Sequence, residues 1–147
     1  MNTNHLLEIF DRDLKKLKEE ILLYKSDADL WKLSPGIANS TGTLALHIAG
    51  NIHHFIGAVL GKSGYVRQRE KEFADRNVSR DILVKGLDDS IVIVNKILPM
   101  ITDAQLEQDY PIEFMGKRKT ASVLIILVSH LGYHLGQVNY HRRLFSV

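Results

Sequence analysis

His130-Leu131-Gly132-Tyr133-His134-Leu135-Gly136-Gln137, with His141 one turn further on, is the stretch on which the reading of this chain turns. Steps of three and four from Leu127 run through His130, His134, Gln137, His141 and Leu144. That is the spacing with which one helix faces the middle of a bundle. A buried polar group with no partner costs a few kcal/mol, so three imidazoles and an amide on such a seam point to a guest that they hold. Two His at i and i+4 project from one helix face toward a common point, and a metal ion is the simplest occupant.

Seven histidines in 147 residues make one HxxxH spacing common by chance, roughly one for every three chains of this make-up. A third candidate strengthens the pair. His47 lies within Leu44-Ala45-Leu46-His47-Ile48-Ala49-Gly50-Asn51, another apolar segment that brings it to the pair if the two helices pack side by side. Three neutral imidazoles bind a divalent ion and leave at least one coordination position open. The alternative is that His130 and His134 are core histidines hydrogen-bonded to other helices. His47 also sits beside the apolar face formed by Ile48, Ile52, Phe55 and Val59, where a solvated flank would read the same.

The length gives one domain over residues 1–147, with 45% hydrophobic residues to build a core. The net charge is +2, but Lys and Arg are interleaved with acids, as in Lys15-Lys16-Leu17-Lys18-Glu19-Glu20, which argues against a nucleic-acid footprint. Cysteine is absent, so disulfides, thiolate nucleophiles and Cys-ligated zinc are excluded, and metal ligands must be His, Asp or Glu. The N-terminal segment carries acids and lysines where a signal peptide would be apolar. The most apolar segment, 123–128, falls short of the roughly twenty residues that span a bilayer. A soluble cytoplasmic protein without membrane contact is expected.

Four segments have a helical period. The first, 4–24, places Leu6, Phe10, Leu14, Leu17 and Ile21 on one face. The second starts at the capping residues Asn39-Ser40-Thr41-Gly42 and ends near Gly61, with Trp31 packing the preceding connection. Ser79 starts the third, which runs to Pro99, and Thr120 is read as the cap of the fourth. Residues 61–78 read as a loop, and 110–117 as a small hairpin. The expected architecture is an all-α four-helix bundle with at least one crossover connection, its metal site built between helices two and four.

The second-helix segment Leu44 to Asn51 and the fourth-helix segment His130 to Val138 together resemble the DinB/YfiT-like family, as does the segment Arg67 to Phe73. The resemblance covers essentially the whole chain. It implies an up-down-down-up bundle, commonly dimeric, with His47, His130 and His134 holding nickel, zinc or another divalent ion. It also implies a thiol-dependent S-transferase or a metal-dependent hydrolase acting on a small molecule, with a low-molecular-weight thiol as one expected partner. The alternative class is a non-catalytic metal-binding stress-response or interaction module.

Gln137 and Tyr133 lie within one turn of His134 and are candidate catalytic residues, orienting a nucleophile or polarising a substrate. For Tyr133 a packed aromatic with its hydroxyl at the surface is an equal reading. His141 is two turns from His134, roughly 10 Å along the axis, too far for the same ion. His53 and His54 read as surface or interface residues, and Arg67 with Arg69 as either an anion-binding pair or a solvated cluster. Gly132 and Gly136 weaken the helix, which a close helix approach or access of a ligand to the metal would justify. A homodimer is expected to use Leu46 and Leu60, on the side of helix two away from its apolar stripe.

Overall fold

The computed structural model describes residues 3–147. Helix α1 (Thr3–Leu22) is followed by a 3-10 turn, Ala28–Trp31, and by α2 (Thr41–Ile52), which continues without a break as a π-helix, His53–Leu60. A short α3 (Arg69–Ala74) precedes α4 (Arg80–Ile97), a 3-10 turn and a one-turn α5 (Asp103–Leu106). Helix α6 (Thr120–Phe145) closes the chain. Four of these, α1, α2, α4 and α6, form the bundle.

Residue pairs fix the helix directions. Lys18 bonds Asp88 and Asp11 bonds Asn95, so α1 and α4 are antiparallel. Glu20 accepts from Asn139 while Gly132 faces Asp13, so α1 and α6 run together. Gly86 faces Ala49 and Gly57 faces Ile93, which makes α2 parallel to α4. His47 meets His130 while Thr41 and His141 share the Tyr24 hydroxyl, which makes α2 antiparallel to α6. The topology is therefore up-down-down-up, as expected.

The core follows the apolar period of each helix. Phe10, Leu14, Leu17 and Ile21 of α1 are fully buried against Ile48, Ile52 and Ile56, Leu83 and Leu87, and Val123, Leu124 and Leu127. Each such side chain contributes about 1.5–3 kcal/mol through removal from water. Ser40 caps α2, its hydroxyl accepting from the Thr43 amide at 3.2 Å. Trp31 packs across Gly42, where any side chain would collide with the indole.

Several sequence expectations are corrected. The central line of α6 is Leu124, Leu127, Leu131 and Val138. His130 and His134 are offset from it by about one residue, roughly 100° on a helix, and face α2; Gln137 and Leu144 are exposed. Thr120 lies inside α6, the N-cap being Lys119, and its hydroxyl donates to the Gln108 carbonyl. No strand forms among the described residues at 110–117. Asp109 and Lys119 form a single antiparallel bridge, with the Tyr110 amide donating to the Arg118 carbonyl at 2.8 Å, at the neck of a loop whose tip turns at Met115 and Gly116, both with positive φ. The segment 61–78, read as a loop, contains α3. This helix lies on α2, and Leu46 and Leu60 pack against the core instead of forming a free face.

The spans Thr41–Leu60 and Thr120–Phe145 are long and apolar enough to cross a membrane by length and composition. The apolar run 123–128 is thus part of a longer span than the sequence reading allowed, because Leu131, Leu135 and Val138 extend it between weakly polar His and Gly residues. Both spans are helices of the bundle.

Candidate metal centre

Helix α2 carries His47 one turn above Asn51, and α6 carries His130 and His134 on adjacent turns; the antiparallel contact brings the three rings together. Their Nε2 atoms converge, with His47 to His130 at 3.1 Å and His134 to His130 at 2.9 Å. The three form a group able to hold a metal ion, one ligand atom from each within 4.8 Å of the others.

The partners of the outer nitrogens set the tautomers. His47 Nδ1 is 3.1 Å from Glu72 Oε1, and a carboxylate only accepts, so Nδ1 carries the hydrogen. His134 Nδ1 likewise donates to the Gln137 side-chain carbonyl at 2.6 Å. Both rings, when neutral, therefore present a bare Nε2 toward His130. A neutral His130 has one hydrogen to share between two acceptors, and its own Nδ1 is buried without a partner. Burial, with the nearby His134, His47 and Arg67, pushes the His130 pKa down to about 4, so a proton does not resolve the conflict at neutral pH. Burial also lowers His134, with His47 adding to the shift and the Gln137 contact opposing it. Converging lone pairs that reject a proton form a donor set that could hold a metal cation. Tetrahedral coordination with metal–nitrogen bonds near 2.0–2.1 Å separates ligand nitrogens by about 3.3 Å, close to the distances here.

Behind His47 stands a support that starts in α3. Arg67 donates Nε to Glu72 Oε2 at 2.9 Å and a terminal nitrogen to Oε1 at 2.8 Å, a two-point clamp on a buried carboxylate. Burial raises the Glu72 pKa, but Arg67 and His47 outweigh it and hold the carboxyl below its ordinary value. Gly50 makes the room: a Cβ there would overlap the Glu72 carboxyl.

A cavity of about 340 Å³ opens beside His47 and His130. The π-helix delivers Phe55 to its wall, and the 111–118 loop delivers Phe114, the two rings meeting edge to face at 4.7 Å. The Tyr110 hydroxyl donates to the Phe55 carbonyl at 2.7 Å and ties the loop neck to α2.

A family profile described as "Protein of unknown function (DUF1572)" matches residues 3–146. The chain belongs to this family. Its fold is DinB-like: a solved DinB-like protein from Bacillus cereus ATCC 10987 superposes with a TM-score of 0.70 at 20% identity, over 95% of this chain and 89% of that one. No curated protein matches.

In this DUF1572 chain the structure brings His47, His130, His134 and Gln137 together. Tyr133 is exposed, with its hydroxyl 3.4 Å from the Gln137 amide nitrogen, at the solvent edge of the group. His141 belongs elsewhere. Its Nε2 donates to the Lys32 carbonyl at 2.8 Å, its Nδ1 accepts from Tyr24 at 2.6 Å, and Tyr24 accepts from Thr41 at 2.6 Å, a buried chain joining α6 to the start of α2. His53 and His54 are half-buried, each with one ring nitrogen buried without a partner. Arg67 is committed to Glu72 and does not form a free anion-binding pair with Arg69. Gly132 and Gly136 do not serve a close approach within the chain: a Cβ at Gly136 meets no atom within 4 Å, and at Gly132 only Asp13 at 3.8 Å. Glu72 escaped the sequence reading. Its signals were an acid five residues after Arg67 and a glycine inside an apolar helix one turn from His47.

Proposed function

We propose that this chain is a divalent-metal-dependent enzyme acting on a small molecule, with His47, His130 and His134 as ligands to zinc or nickel, both of which suit an all-imidazole set. The convergence of three Nε2 atoms, two of them held bare by Glu72 and Gln137, carries this reading. A divalent ion held there supplies Lewis acidity that makes a nucleophile available at neutral pH.

Glu72 fixes the His47 tautomer and aim, and Arg67 keeps Glu72 ionised. Gln137 does the same for His134 from the solvent side, where Tyr133 limits its motion. Between the two chemistries expected of the site, thiol-dependent S-transfer is favoured over hydrolysis. Water activation benefits from a general base, and the carboxylate that the described residues place against the triad, Glu72, has both oxygens engaged by Arg67 and His47. A thiol with an ordinary pKa near 8.5 needs less help to ionise. A low-molecular-weight thiol as co-substrate fits a soluble protein of the reducing cytoplasm.

The test is a screen of thiol-dependent reactions against a panel of electrophiles, run on metal-loaded, stripped and reloaded protein. Activity is expected to vanish on stripping and return on reloading, and to stay absent in reloaded His47→Ala. Metal-bound protein inert toward every electrophile and hydrolysable substrate would support the non-catalytic module instead.

A second copy of the chain is a further expected partner. The outward face of α6 exposes Ile125, Tyr133, Tyr140 and Leu144 around Gly132 and Gly136, an apolar surface with space for another helix.

A further inference from the structure

The 340 Å³ cavity beside the triad has two unlike walls. One is apolar, built from Phe55, Phe114 and Ile126. The other carries Arg67 and Arg69. The charge of Arg67 is matched by Glu72, whose oxygens are both occupied. Arg69 forms no ion pair among the described residues; its guanidinium lies 5.0 Å from the Phe73 ring centroid, on the solvent side of the cavity. The cavity therefore has a net unmatched cation at one end. Asn51 lines the same space from α2, one turn below His47. It is only 6% exposed, and its amide makes no hydrogen bond among the described residues. Its amide reaches the open space of the cavity, where its donor and acceptor are available to a polar ligand.

We propose that this cavity binds a small organic acid, its carboxylate held at Arg69 and its apolar body lying along Phe55 and Phe114, with a polar atom meeting the Asn51 amide. The volume lies within the range of small-molecule pockets, which pair apolar walls with a few placed polar groups. Aryl or alkyl carbon against two edge-to-face rings supplies contact area, and the guanidinium supplies a charge-assisted hydrogen bond that selects an anion over its neutral analogue. The proposal rests on the reading of the triad as the reaction centre, because the cavity places such an acid beside His47 and His130.

The probes are 3-phenylpropionate, its neutral amide, and acetate, titrated calorimetrically into chelator-treated and zinc-loaded protein whose zinc content is measured on the same samples. On chelator-treated protein the acid should bind at least about tenfold more tightly than the amide, with acetate weaker than both for want of an apolar body. Arg69→Ala, at an exposed position, should abolish the preference for the acid while leaving amide binding unchanged, and Arg69→Lys should restore part of it. Equal binding of acid and amide, no binding of either at millimolar concentration, or acid binding that needs zinc and ignores Arg69→Ala would overturn the proposal. Zinc bound without acid preference defeats this inference and leaves the metal reading standing. Acid preference in a protein that binds no zinc does the reverse.

Discussion

Gly50 and Glu72 compete for one volume, and the outcome sets the aim of His47. In Gly50→Ala the new methyl falls on the carboxyl group, so Glu72 must leave its place between Arg67 and His47. Glu72→Gln keeps the shape but loses the charge. Both variants should fold and bind metal about 10–100-fold more weakly than the wild type, as loss of a hydrogen-bonded support to a ligand imidazole generally does; competition with a chromogenic chelator measures this. Unchanged affinity would make the Glu72 clamp a purely structural feature. Protonation offers a second test at the same scale. The folded-state pKa of His130, about 4, lies below its ordinary 6.5. The unfolded chain therefore takes up a proton there first as pH falls, so stability is full above pH 6.5 and is lost between that value and about 4. In metal-free protein, with the full difference reduced by the water that screens this partly exposed ring, this amounts to something on the order of 2 kcal/mol, which urea unfolding at successive pH values should show and which His130→Gln should remove.

At the scale of elements, α6 serves three faces: Leu124, Leu127 and Leu131 face the core, His130 and His134 face α2, and Tyr133 and Tyr140 face outward. His141 extends the second of these as a clasp. Tyr24→Phe strips the hydroxyl that serves both His141 and Thr41 and should cost about 1–3 kcal/mol, lowering Tm with no change in metal content. A parallel loss of metal would tie His141 to the centre after all. The four main helices were legible because apolar residues recur at three- and four-residue steps on each and Ser40 marks a cap. His130 and His134 were legible because i, i+4 spacing is a property of the helix itself, and His47 through its apolar segment and the family resemblance. Glu72 was not, since its place depends on α3 folding over α2, a contact between segments that sequence periodicity does not encode. The hairpin expected at 110–117 failed for a related reason: the Tyr110 side chain is held by the Phe55 carbonyl, and pairing stops at the loop neck, with the Asp109–Lys119 bridge and the Tyr110 amide on the Arg118 carbonyl. His141 was legible as a seam residue apart from the triad, while its partners Tyr24 and Lys32 lie in a connection that helical periodicity does not place.

For the whole molecule, the apolar outer face of α6 sets the expected assembly. Wild type should be a dimer by light scattering at micromolar concentration. Gly136→Leu, where the chain itself offers no atom to collide with, should leave the fold intact and shift the protein toward monomer. A monomeric wild type, or a dimer indifferent to this change, would move the interface elsewhere or remove it. The apolar core is built from residues outside the triad, so loss of metal should leave the bundle folded, unlike in a zinc finger that folds only with its ion. The most direct test of the account is elemental analysis of freshly purified wild type beside His47→Ala, His130→Ala and His134→Ala, with circular dichroism on the same samples. About one divalent ion per wild-type chain and little in the variants, all four equally helical, is the predicted result. Equal metal content in the wild type and the three variants, or none in any of them after incubation with zinc and nickel, would contradict it.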